Sequence, residues 1–132
     1  MSKGNTTEND VVAFIFNATA MPAYGSNLYV HLHTADPGEA GTATTNEANY
    51  TGYLPVAVAR EASGFTVSGN QAVNTAETTF PECTGGTNTI THASVATLAG
   101  QILYSGALTA PINISNLITP RFPAGTLVMQ ED

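Results

Sequence analysis

The sequence has 132 residues, 42% of them hydrophobic, which is enough for one domain with its own core. Ten acidic residues stand against one lysine and two arginines, so the formal net charge is -7 at pH 7. With so few cations there is no basic surface for nucleic-acid phosphates or anionic lipids, and the sequence predicts neither nucleic acid nor a membrane as a partner.

The first predicted element is a short helix over about residues 8–17. Polar and acidic residues precede its apolar run, the order typical of a helix start, and Pro22 and Gly25 favour its end. The run is too apolar for a solvated tail, so we expect it to dock on its own sheet or on another chain. It consists of Val11, Val12, Phe14, Ile15 and Phe16. We therefore predict a docking arm over residues 1–25 and a β-sandwich domain over residues 26–132.

Alternation predicts strands after the helix. Leu28, Val30 and Leu32 alternate with Tyr29, His31 and His33, so the aliphatic side chains share one face and the histidines the other. The Asp36-Pro37-Gly38 turn then opens a loop over residues 36–49 that is predicted to be too polar for burial. Further strands are predicted at 53–60, 64–69, 71–76, 77–82, 88–97, 101–108 and 125–130. About eight strands at this spacing favour an all-β, jelly-roll-like antiparallel β-sandwich with one short N-terminal helix.

His31 and His33 are candidate metal ligands, because neutral imidazoles bind zinc, iron or nickel. With Glu39 and Gly41 they resemble the first motif of the cupins, jelly-roll proteins that bind metals. The spacing to Glu39 is one residue longer than that motif usually has, and Val128 stands where the second cupin motif needs a histidine. Structural or surface histidines are therefore the favoured interpretation, and no metal or other cofactor is predicted.

Other patterns give no catalytic centre. Cys83 is the only cysteine and has no neighbouring cation to stabilise a thiolate, so we predict an inert thiol. The sequence has no Gly-x-Ser-x-Gly elbow and no phosphate-binding loop, so we predict that the protein is not an enzyme. Tyr50 and Tyr53 are predicted to be the most exposed tyrosines and candidates for a binding surface, although core or rim packing is favoured for tyrosines in general.

Four segments carry a resemblance to a known family: "LYVHLHTADPGEAGTATTNEANYTGYLPVAVAR", "FPECTGGTNTITHASV", "ILYSGAL" and "ITPRFPAGTL". They resemble small virion proteins of tailed phages and prophages, which are commonly labelled tail-fibre-like. Related small jelly-roll proteins serve as capsid cement or decoration subunits. The resemblance covers residues 27 to 132 and implies a structural, non-enzymatic role.

The sequence thus predicts a capsid cement subunit, made in the host cytoplasm and placed on the capsid surface of the virion. Its predicted partners are the major capsid protein and further copies of itself, as a dimer or trimer. The N-terminal segment and residues 36–52 are predicted to contact the shell or sister subunits. A tail-fibre or baseplate component for host attachment is the first alternative, and a cupin-like metal-binding protein is the second.

Overall fold

The computed structural model describes residues 1–131, which contain one helix and ten strands. In chain order these elements are β1 (Ser2–Lys3), α1 (Asn5–Asn17), β2 (Asn27–His33), β3 (Val56–Ala59), β4 (Phe65–Ser68), β5 (Gln71–Asn74), β6 (Thr78–Thr79), β7 (Asn88–Ala96), β8 (Ile102–Ile114), β9 (Arg121–Phe122) and β10 (Val128–Gln130).

The strands form two main sheets and a small ribbon. The larger sheet has five strands in the order β1-β8-β7-β2-β3, the smaller sheet has three in the order β10-β5-β4, and β6 pairs with β9. Every pairing is antiparallel. The inner faces of the two sheets share one core, in which Val30 and Val95 of the larger sheet join Met129 of the smaller one. The predicted all-β sandwich is confirmed.

Strand β2 lies at the centre of this packing and is covered on both faces. Val30 and Leu32 are fully buried in the core, as the alternation predicted. His31 and His33 point to the opposite face, yet both are buried as well. A strand covered on both faces is more strongly fixed in register than one with a solvated face, because a slip by one residue would exchange the two sets of side chains.

The loop after β2 is more buried than its composition predicted. Ala48 donates its backbone N–H to the carbonyl of Leu32 at 2.8 Å, and the N–H of Thr34 bonds to the carbonyl of Asn46 at 2.8 Å. These residues therefore line the edge of β2 beyond the end of β3. The prediction that the loop is too polar for burial is wrong for Ala43 and Ala48, which are buried.

Strand β8 continues beyond the strand predicted at 101–108. Pro111 lies within β8, but the pairing with β7 shifts register there: Ile112 pairs with Ile90, whereas Ala107 pairs with His92. The extra residues of β8 form a bulge, where the missing N–H of proline breaks no ladder bond. The bulge explains how a proline fits inside a strand of 13 residues.

The N-terminus takes part in the larger sheet. Ser2 and Lys3 of β1 pair with Ser105 and Tyr104 of β8, so these residues extend the sheet although the predicted division placed them in the arm. Lys3 forms an ion pair with Glu131, whose other carboxylate oxygen accepts a hydrogen bond from the Tyr104 hydroxyl at 2.5 Å. The Lys3 and Tyr104 hydrogen bonds hold the pKa of the Glu131 carboxyl below its usual value.

Candidate docking surface and the histidine cluster

Helix α1 is tied to the sandwich only through its first half. The Thr7 hydroxyl donates to the carbonyl of Ile102 at 2.8 Å. The side-chain amide of Gln101 donates to Asp10 at 2.9 Å and to Thr7 at 3.0 Å. The helix begins at Asn5, three residues earlier than predicted, and ends at Asn17 as predicted, where Ala18 adopts a left-handed conformation. These contacts hold the base of the helix beside the start of β8.

The second half of α1 stands away from the sandwich with its apolar side chains exposed. We call residues 12–16 the helix tip. Phe16 is 79% exposed, and Val12, Phe14 and Ile15 are each more than half exposed. Val11 is partly buried. Apolar positions at 12, 14, 15 and 16 surround the helix axis instead of forming a single stripe, and a helix end that is apolar all round is typical of a buried segment.

A second apolar surface lies between the two sheets, near the base of the helix. This inter-sheet cleft has a volume of about 510 Å³. Its apolar walls come from both sheets, chiefly from Leu28, Phe65, Val67, Ala72, Leu103 and Met129. Val67 is 73% exposed, so the cleft opens to solvent. Arg60 and Glu61 provide the charged part of the lining.

Leu103 connects the cleft to the helix, because it lines the cleft while its carbonyl accepts the N–H of Gly4, the residue before α1. The cleft and the base of the helix therefore lie at the same end of the molecule. The cleft was not predictable from the sequence, because its walls come from strands that are distant in the chain. The one local signal is the alternation of Phe65 and Val67 with polar residues in β4, which does not show what the two apolar side chains face.

His31 belongs to a polar cluster on the outer face of β2. Its Nδ1 lies 2.5 Å from Oε2 of Glu47, and the hydroxyl of Tyr53 donates to the same oxygen at 2.8 Å. The Tyr53 oxygen also accepts the backbone N–H of Leu32 at 3.1 Å. Burial raises the pKa of the Tyr53 hydroxyl, and the hydrogen bond to Glu47 raises it further. The cluster therefore attaches the loop that follows β2 to the edge of that strand.

His33 is fully buried beside this cluster. Its Nδ1–H donates to the carbonyl of Thr45 at 2.8 Å, so in the neutral ring Nε2 is the acceptor for the Ser94 hydroxyl, also at 2.8 Å. Burial lowers the pKa of His33 below its ordinary value, because the interior disfavours the charged ring. His33 thus has a partner for each ring nitrogen and links the loop to β7.

The histidine cluster has the contacts of a structural element. Ser94 is fully buried, so the Ser94–His33 pair has no access to a substrate. Within residues 1–131, no group of three histidine, cysteine or acidic side chains is placed to hold a metal ion. The cupin-like alternative therefore has no third ligand in this part of the chain, and Glu39, its candidate from the sequence, is exposed in the loop.

The two candidate tyrosines pack in the core or against it. Tyr50 is 3% exposed and donates its hydroxyl to the carbonyl of Pro81 at 2.7 Å, so its predicted exposure is wrong. Burial raises the pKa of Tyr50 to about 12. Tyr53 is half-buried, and its ring stacks on Phe80 with centroids 6.3 Å apart. Cys83 is fully buried, with its thiol directed at the carbonyl of Gly85 at 3.2 Å.

Helix α1, the one helix in residues 1–131, is not long and apolar enough to cross a membrane.

No curated protein sequence matches the chain. A family model described as "Podophage GP4 fiber I protein gp80" matches residues 2–130, which is nearly the whole sequence and includes the N-terminal helix. The chain therefore belongs to the podophage GP4 fiber I protein gp80 family and is a phage virion structural protein of the fibre-like kind.

Proposed function

We propose that the protein is a non-enzymatic structural subunit of a podophage tail fibre, joined to its neighbours in the virion through the helix tip. The observation that carries this proposal is the exposure of the helix tip on a rigid sandwich. Large apolar side chains that remain exposed together, on a helix anchored only at its base, are typical of a surface awaiting a partner. The family description, which names a fibre, supports the tail over the head.

The sandwich suits a role as a rigid spacer. Its larger sheet joins β1 near the N-terminus to β8 near the C-terminus, and its core is continuous between the two sheets. A virion repeats each subunit contact many times, so modest interfaces add up to a stable assembly. Since the chain has only three basic residues, apolar contacts such as those of the helix tip are better suited to joining subunits than ion pairs are.

The capsid cement role predicted from the sequence is the second candidate. It would use the same helix tip, together with the exposed part of residues 36–52, to bridge subunits of the major capsid protein. The observation in its favour is that a compact sandwich with one protruding arm also fits a subunit that spans neighbouring shell proteins. The two candidates differ in where the protein is placed in the virion.

Cryo-electron microscopy of intact virions at side-chain resolution distinguishes the two candidates. We expect the sandwich and helix α1 to fit density in the tail, with Phe14 and Phe16 covered by a neighbouring chain. Density only on the capsid exterior would overturn the fibre proposal in favour of cement. Absence from both head and tail would reject both.

A genetic experiment tests the role of the helix tip. In phage that carry Phe14→Ser and Phe16→Ser together, we expect particles with the protein missing, because the substitutions remove the two exposed aromatic rings. Leu54→Ser is the matched control, since Leu54 is 64% exposed but lies outside the helix. Normal incorporation of the double variant, measured by immunoblot of purified virions, would contradict docking through the helix tip.

A further inference from the structure

We infer that the helix tip of one subunit fills the inter-sheet cleft of a second copy of the same chain, reciprocally, so that two subunits form a closed two-fold dimer. This inference rests on the proposed structural role and names the partner that the helix tip contacts. It would make the pair of subunits the unit that enters the virion.

The first argument is the match in size and chemistry. The cleft is walled by aliphatic and aromatic side chains and has a volume of about 510 Å³, which lies within the ~300–1,000 Å³ typical of binding pockets. The tip presents two phenylalanines and an isoleucine that its own chain leaves exposed. One chain thus carries both an unfilled apolar cleft and an apolar helix end without a cover.

The second argument is charge complementarity. The last turn of α1 has no basic residue, so the partial negative charge at the end of the helix has no counter-charge on the helix itself. Arg60 lines the cleft, and its Nε is fixed by a hydrogen bond to the carbonyl of Gly25 at 2.6 Å. Arg60 forms no ion pair with any of residues 1–131. Glu61, the acidic residue beside Arg60 in the lining, accepts a hydrogen bond from the Ser63 hydroxyl at 3.0 Å. A helix end that enters the cleft on the Arg60 side therefore brings its negative end toward the guanidinium.

The third argument is that the helix carrying the tip is anchored at the same end of the molecule as the cleft. Leu103 lines the cleft and its carbonyl anchors the residue before α1, so the cleft and the helix base share a strand. When a projecting element and its receptor lie at the same end, two copies can exchange them face to face. Such an isologous contact closes at two subunits, whereas surfaces at opposite ends would generate an open chain.

The buried area supports a stable pair. Covering the exposed parts of Phe14, Ile15 and Phe16 removes on the order of 390 Å² per helix, taking about 200 Å² for each large side chain. Two helices and the smaller lining surface of two clefts together give about 1,050 Å², just above the ~1,000 Å² that a specific interface is expected to bury.

The first test is the mass of the purified full-length chain, measured by size-exclusion chromatography with light scattering. We expect a dimer, and we expect monomers from Phe14→Ser/Phe16→Ser and from Val67→Asp, which places a charge in the cleft. Val67 is exposed, so we expect the Val67→Asp protein to fold. Its circular dichroism spectrum should match that of the wild-type protein. Leu54→Asp is the matched control and should remain dimeric.

A wild-type monomer, or a species that grows steadily with concentration, would overturn the closed dimer. Either result leaves the tail location of the proposed function intact, because that is read from virion density. Conversely, a dimer found in solution with density only on the capsid would reject the fibre proposal and keep the dimer.

Disulfide trapping then tests which surfaces meet. We expect the Phe16→Cys protein, mixed with the Val67→Cys protein under mild oxidation, to form a covalent heterodimer. Native Cys83 is fully buried and should not compete. Covalent homodimers of Phe16→Cys as the main product would show that two helix tips pack on each other and would overturn docking in the cleft.

Discussion

The Nδ1 atom of His31 and the Oε2 atom of Glu47 lie 2.5 Å apart, although 16 positions separate the two residues in the chain. This contact closes the loop after β2 onto the strand from which it departs. The same carboxylate oxygen accepts the Tyr53 hydroxyl, so one acidic side chain connects the strand, the end of the loop and a ring that stacks in the core.

We expect Glu47→Ala to lower the free energy of unfolding by about 1–3 kcal/mol, because it leaves the Tyr53 hydroxyl and the His31 ring without their common partner. Glu39→Ala is the matched control: Glu39 is an exposed acid of the same loop and should change stability by less than about 0.5 kcal/mol. Urea denaturation measures both. Equal effects of the two substitutions would contradict a fastening role for Glu47.

Because His33 is buried, we expect the free energy of unfolding to decrease as the solution becomes more acidic. Its pKa is lowered in the folded protein, so below about 6.5, the ordinary value, the unfolded chain takes up a proton more readily than the folded one. The contribution of His33 is therefore present above that pH and is lost as the pH falls below it.

His33→Gln removes the titrating group and retains hydrogen-bonding capacity. We expect the Tm of the wild-type protein to fall further than the Tm of the His33→Gln variant when the pH is lowered from 7.5 to 5.5. Differential scanning fluorimetry measures both values. Parallel Tm profiles for the two proteins would show that His33 does not titrate differently on unfolding.

Asn74 connects the C-terminal strands to the smaller sheet, and its loss should be costly. The side chain is buried; its amide donates to the carbonyls of Ala76 and Phe122, and its oxygen accepts the N–H of Leu127 at 3.0 Å. Asn74→Ala leaves several of these groups unpaired, so we expect a loss of more than about 2 kcal/mol. Asn116→Ala is the exposed control, and chemical denaturation of both variants measures the difference.

Cys83 provides a probe of global unfolding. Because its side chain is fully buried, we expect no reaction with a thiol reagent such as dithionitrobenzoate in the native protein, and one thiol per chain after denaturation. Rapid labelling without denaturant would mean that the segment around Cys83 opens locally.

The periodic parts of the fold were predictable from the sequence. The alternation over β2 assigned its two faces correctly. Successive side chains of a strand point to opposite faces, so Leu28, Val30 and Leu32 must share one face. The strand predicted at 101–108 was too short, because a proline such as Pro111 disfavours a strand interior and only the pairing with β7 reveals the bulge that accommodates it. Tyr50 was assigned to the surface because a polar loop usually stays there, and the return of that loop to β2 depends on contacts distant in sequence.

The candidate docking surface was predictable only in part. An apolar run of Val and Phe residues in α1 indicates docking, but whether it docks on its own sheet depends on where the helix base is anchored. Thr7 and Gln101 decide this, and their contact joins residues 94 positions apart. The inter-sheet cleft is likewise a product of the assembled sheets and has no local signature.

The pairing of β1 with β8 also affects how the protein folds during synthesis. Ser2 aligns with Ser105, so the first strand has no partner until most of the chain has left the ribosome. At ~5–20 residues per second, translation of the intervening chain takes roughly 5–20 s. Throughout this interval the apolar helix that follows β1 lacks its anchor at residues 101–102 and is available to chaperones before it is available to another virion subunit.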